Sequence, residues 1–174
     1  TILDPGIQMI EDLCQIPVVG VVPFMNLDIE DEDSLSSAME RKKAGGLVDI
    51  AVVRLPRISN FTDFNSLETI DGFSVRYVSR KGELKEPDMV IVPGSKSTIA
   101  DLKWLRQSGI EGEIKRLAHK GTLIWGICGG YQMLGQKISD PLKTETGGEI
   151  EGMGLLKGKT VFAEEKTRTR IEGK

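Results

Sequence analysis

The sequence predicts an α/β domain of three layers, with helices on both sides of a mainly parallel sheet. Three observations predict it. Short apolar runs alternate with stretches at helical spacing, the signature of βαβ units. One such run, 88–92, ends at Pro93-Gly94. Another, Thr122-Leu123-Ile124-Trp125, leads straight into Gly126-Ile127-Cys128-Gly129-Gly130. Ligands in such sheets collect where the strands end, so the two turns can face one site.

Taken in order, Ile7, Ile10 and Leu13 recur at helical spacing behind Asp4 and Pro5. The run 16–24 then reads as a buried strand bounded by prolines. One helix and one strand cannot bury each other, so 1–24 reads as the end of a domain that begins elsewhere. Residues 25–46 read as a linker. They carry the acidic run 28–33, which suits a solvated segment or helix start better than a metal site, and a possible short helix over 34–39. From Leu47 the pattern is regular: strands over 47–53, 73–78, 88–92 and 123–127, the last two buried. Helices are expected over Ile99 to Leu105 and from Ile114 to Ala118. Beyond Asp140-Pro141, a Gly-rich charged stretch precedes short edge strands at 154–156 and 160–162.

The 174 residues suffice for one domain with a sizeable core, and 39% hydrophobic with 28% charged residues is ordinary globular composition. A net charge of −3 without a basic stripe points to neither nucleic acid nor an anionic membrane surface. No apolar stretch is long enough to span a bilayer, and the first residues show no signal-peptide pattern. Cys14 and Cys128 form neither a disulfide framework nor a metal-ligand spacing, which suits a reducing cytoplasm.

The turn around Cys128 has the layout of a nucleophile elbow, with sulfur in place of the usual hydroxyl. Glycines belong there because the nucleophile occupies a strained turn crowded by its neighbours. The helix expected from Gly130 aims its N-terminus at the sulfur, which favours a nucleophilic cysteine. A buried structural cysteine is the competing reading, weakened by the three flanking glycines.

Pro93-Gly94-Ser95-Lys96-Ser97-Thr98 resembles a phosphate loop, but Ser95 stands where that motif needs a glycine before the lysine. A better use is a backbone N–H from Gly94 aimed at an oxyanion, with Gly129 giving the second donor. A helix-capping turn is the plainer alternative, and both can hold together. The base is harder to find. His119, the sole histidine, precedes the strand whose far end carries Cys128. At about 3.3 Å per residue, that strand separates them by roughly 20 Å.

The chain resembles the cobyric acid synthases of the cobalamin pathway over nearly its full length. The resemblance is carried by 27–35, by 53–64 (Val53-Arg54-Leu55-Pro56-Arg57-Ile58-Ser59-Asn60 and onward) and by 92–98. It continues through 101–106, 126–134, and Phe162 with Glu165-Lys166-Thr167. Together these are far more specific than any one alone. The resemblance implies a flavodoxin-like class I glutamine amidotransferase domain over 47–174, and makes 1–24 the remnant of an ATP-dependent synthetase domain. In that group the elbow reads G-x-C-x-G-x-Q, matched by Gly126, Cys128, Gly130 and Gln132. It implies Cys128 as nucleophile and Gln132 as a contact to bound glutamine.

The implied reaction is amidation of the b, d, e and g carboxylates of adenosylcobyrinic acid a,c-diamide, with this domain supplying ammonia from glutamine. ATP and Mg²⁺ are implied for the synthetase domain, and no cofactor for this one. Implied partners are glutamine and, through the synthetase domain, the corrinoid. The family's histidine lies downstream of the elbow in a G-T-Y-x-H-G-like stretch that this chain lacks, so a fragment inactive alone is expected. The Arg54–Asn60 loop is given no catalytic role. Two alternatives stand beside this reading. One is a related amidotransferase, either an a,c-diamide synthase or a cell-wall amidotransferase subunit. The other is an inactive flavodoxin-like interaction module.

Overall fold

A computed structural model describes residues 3–23 and 46–164. The chain divides into two compact units, Thr1–Glu30 and Asp31–Lys174. The first holds α1 (Asp4–Cys14), which opens with proline in its first turn and ends at Gln15, left-handed at φ 55°. No residue of α1 is buried. The strand expected over 16–24 is absent from the described residues 15–23. A strand is held by a paired neighbour, and none is found among the described residues of this unit. Val18 N–H donates instead to Glu11 Oε1 at 2.8 Å. The acidic run and the short helix expected at 34–39 lie outside the described residues.

In the second unit the elements run β1 (Val48–Val53), β2 (Ile58–Ser59), a 3-10 turn (Phe61–Phe64), α2 (Asn65–Glu68) and β3 (Phe73–Val78). They continue as α3 (Lys81–Leu84), β4 (Met89–Val92), β5 (Gly94–Ser95), α4 (Thr98–Gln107), α5 (Ile110–Lys120) and β6 (Leu123–Gly126). Last come α6 (Gly129–Leu134), β7 (Lys137–Asp140), β8 (Gly148–Glu151) and β9 (Lys159–Val161). The main sheet is parallel throughout, in the order β3-β1-β4-β6. A smaller sheet, β8-β7-β9, pairs β7 antiparallel to β8 and parallel to β9.

Alternation along β1 explains the layers. Ala51 and Val53 enter one core cluster with Ile99, Leu102 and Leu105 of α4 and Ile110, Ile114 and Leu117 of α5. Ile50 and Val52 enter the other, with Phe64, and Leu67 packs against it from α2. Successive side chains of a strand point to opposite faces, so burying both faces needs apolar residues at every position. β4 repeats the device, with Val90 and Val92 on the first face and Ile91 on the second.

Three expectations for this unit are corrected. β6 is an edge strand among the described residues, pairing with β4 alone; Leu123 and Trp125 remain 60% and 52% exposed rather than buried. Residues 154–156 form no strand, and only the second expected edge strand appears, as β9. The Gly-rich stretch hides β8, and β7 stands just before it; both are charged, short runs that lack the apolar signal that marks a strand.

Candidate functional site

The register places the site. Val92 pairs with Gly126, so β4 and β6 end side by side and their following turns meet. Cys128 stands at φ 49° and ψ −112°, a positive-φ conformation that residues other than glycine rarely adopt. Its turn is braced on both sides: Ile127 N–H donates to Val92 O at 3.0 Å, and Gly130 N–H to Ile127 O at 2.8 Å. A Cβ at Gly130 would lie 1.9 Å from Val92 O, and one at Gly126 would lie 2.7 Å from the Tyr131 backbone. No side chain fits at either. Cys128 itself is exposed, which removes the buried-cysteine reading.

The expected companions converge on it. A Cβ on Gly94 would stand 3.8 Å from Cys128 Cβ, so the Pro93-Gly94 turn lies against the Cys128 turn. A Cβ on Gly129 would lie 3.1 Å from both Ser95 N and Thr98 Oγ1. Gly129 opens α6, where a first-turn N–H has no carbonyl one turn behind it. Thr98 Oγ1 lies 3.5 Å from Gln132 Oε1, and Gln132 N–H donates to Cys128 O at 3.1 Å. Cys128, Gly94, Gly129 and Gln132 thus occupy one corner of the sheet's carboxyl end. His119 does not join them: it is exposed in the last turn of α5, at the opposite end of β6. Within the 93–98 turn, Gly94 and Ser95 pair with Ser59 and Ile58 as an antiparallel ribbon.

Sequence reasoning missed four polar residues that shape this corner. Thr98 starts α4, and Glu145 takes its N–H at 2.6 Å and its hydroxyl at 3.1 Å. Asp140 delivers Glu145 there. Its carboxylate, fully buried, accepts the N–H groups of Thr144, Glu145 and Gly147 at 2.7, 2.9 and 2.8 Å. Burial alone would raise the Asp140 carboxyl, but these N–H donors outweigh it and hold its pKa below the ordinary value. Asp101, also fully buried, accepts Arg57 and Ser95. One signal was available: Asp101 falls among Ile99, Leu102 and Leu105, on a helix whose core face should exclude a lone carboxylate. Among the described residues, no three His, Cys, Asp or Glu gather as a metal-ligand set. No helix among them is long and apolar enough to cross a membrane.

A family model described as a CobB/CobQ-like glutamine amidotransferase domain matches residues 49–174. The cobyric acid synthase of Ruminiclostridium cellulolyticum is 59% identical over 172 residues, 99% of this chain and 34% of that protein. Those of Lachnoclostridium phytofermentans and Alkaliphilus metalliredigens are 55% and 51% identical over 99% of this chain, and 34% and 35% of theirs. The chain therefore spans about a third of the length of the curated relatives it matches. A crystal structure of a glutamine amidotransferase aligns at TM-score 0.49 with 27% identity, over 62% of this chain and 52% of that one.

Proposed function

The chain belongs to the CobB/CobQ-like glutamine amidotransferase family, and we propose that it releases ammonia from glutamine for the amidations that make cobyric acid. The observation that carries the reading is the exposed Cys128 on its positive-φ turn, with Gly94 against it. Cys128 Sγ attacks the side-chain carbonyl carbon of glutamine, forming a C–S bond and a tetrahedral oxyanion. Gly94 and Gly129 N–H groups hold that oxygen, and Gln132 contacts the bound substrate. The oxyanion collapses, the C–N bond breaks, and the nitrogen leaves protonated as ammonia. Water then cleaves the thioester to glutamate and free thiol. His119, in the last turn of α5 at the opposite end of β6, is not placed to serve as the base, so another group moves the protons.

In this reading residues 1–24 close a synthetase domain, 25–46 link the two, and 47–174 are the amidotransferase domain. ATP and Mg²⁺ act in the synthetase domain on the b, d, e and g carboxylates of the corrinoid a,c-diamide, in the cytoplasm. The described residues here bring together no acidic cluster to hold the metal. The test is Cys128→Ala in the full-length protein. Glutamine-dependent amidation is expected to vanish while amidation from added ammonium salt persists. Unchanged use of glutamine would sink the reading.

A further inference from the structure

We propose that Asp101 is a positioning residue for the chemistry assigned to Cys128, fixing the Gly94 turn against the sulfur; this rests on the function proposed above. Asp101 lies in the first turn of α4, where its side chain is wholly inaccessible to solvent. Its carboxylate reaches out of the helix to Ser95 and Arg57. Oδ2 accepts the Ser95 hydroxyl at 2.7 Å and the Arg57 backbone N–H at 3.2 Å. Oδ1 accepts Arg57 Nη1 at 3.2 Å. One carboxylate thereby ties Ser95 of β5 to Arg57, the residue that leads into β2. Ser95 Oγ in turn accepts Ser97 N–H at 2.9 Å, and Lys96 N–H donates to Arg57 O at 2.8 Å.

That ribbon has two residues on each strand, too few to hold a geometry unaided. Gly94 is one of them, and it is the residue that faces Cys128. A donor aimed at a developing oxyanion works only when it is fixed before the charge appears. Burying a carboxylate is unfavourable unless its acceptor sites are filled, and here the filling groups come from the turn and from the guanidinium of Arg57. Arg57 stays half-exposed, with its side chain 51% accessible, so its charge serves the buried partner without being buried itself. The hydrogen bonds of the Asp101 carboxylate go to Ser95 and Arg57 rather than to Cys128. Its action runs through Ser95 and Gly94.

Asp101→Asn tests this in the full-length protein. The amide keeps the shape but must turn its NH2 toward either Arg57 Nη1 or the Ser95 and Arg57 N–H pair, so one donor meets a donor. Ser95→Ala is the milder variant and removes only the 2.7 Å bond. Two quantities are compared: kcat and KM for glutamine, and the rate at which iodoacetamide alkylates Cys128. Alkylation needs the sulfur but no oxyanion donor. With Asp101→Asn, kcat is expected to fall about 10- to 100-fold, with KM and the alkylation rate near those of the unaltered protein. Ser95→Ala should show the same pattern at smaller size. An unchanged kcat in either variant overturns the proposal. So does a loss of kcat matched by an equal loss of alkylation, which would mean a damaged fold. If Asp101→Asn does not fold, Ser95→Ala decides alone. Absence of Cys128-dependent hydrolysis in the unaltered protein would overturn the function itself, and this assignment with it.

Discussion

The Cys128 turn and the outer face of α5 are both dense with short contacts, yet they hold for opposite reasons. At the turn, backbone meets backbone because side-chain atoms are missing: Gly126 and Gly130 leave no room for a methyl group. On α5 the contacts are long charged side chains meeting in water. Arg116 bridges Glu113 at 2.6 Å and Glu86 at 2.9 Å, and Lys120 also reaches Glu86 at 2.9 Å. Hydrogen bonds from Lys120 and Arg116 lower the Glu86 pKa, though that carboxylate is exposed. Steric exclusion is indifferent to salt and to solvent. Exposed ion pairs are screened by salt and spend side-chain entropy. A short distance therefore says little about stability until its surroundings are known.

The difference can be pressed hardest at Gly130. Gly130→Ala drives a methyl group into Val92 O, and a backbone on both sides cannot yield. A loss of about 3 kcal/mol or more is expected in urea unfolding; a loss below about 1 kcal/mol would mean that the turn is looser than its contacts imply. Asp140 tests the intermediate case, a buried carboxylate holding backbone N–H groups. Its native pKa lies below the ordinary 3.8. Its contribution is therefore complete above that value and is lost as pH falls from there through the native pKa. Asp140→Asn should flatten this acid limb of the stability curve, and an unaltered limb would refute the assignment. Arg116→Ala should move the unfolding midpoint least, and 1 M salt should erase what remains. A large, salt-insensitive shift would put the α5 face in the same class as the turn.

The same contrast explains what could be seen in the sequence. β1, β3, β4, α4 and α5 were legible because each carries a periodic apolar signal that burial requires. The elbow was legible because the glycines that permit it are themselves the signal. The strand expected at 16–24 shows the limit: an apolar, proline-bounded run states a preference, while a strand needs a neighbour. β7 and β8 fail the other way. They pair firmly, with Ile138 opposite Ile150, yet offer few apolar residues to notice. Cys128, Gly94, Gly129 and Gln132, which share one corner of the fold, were singled out by motif. Asp101, Asp140 and Glu145 were not, since their roles depend on backbone N–H groups and hydroxyls brought near only by folding.

The edge position of β6 has an optical consequence. Trp125 stands half in solvent three residues before Cys128, while Trp104 packs against the main core. The two indoles of this chain therefore sit in unlike media, one polar and one apolar. A quencher dissolved in water reaches Trp125 first, so its emission separates from that of Trp104 without any added dye. The strand that leads to Cys128 carries its own lamp.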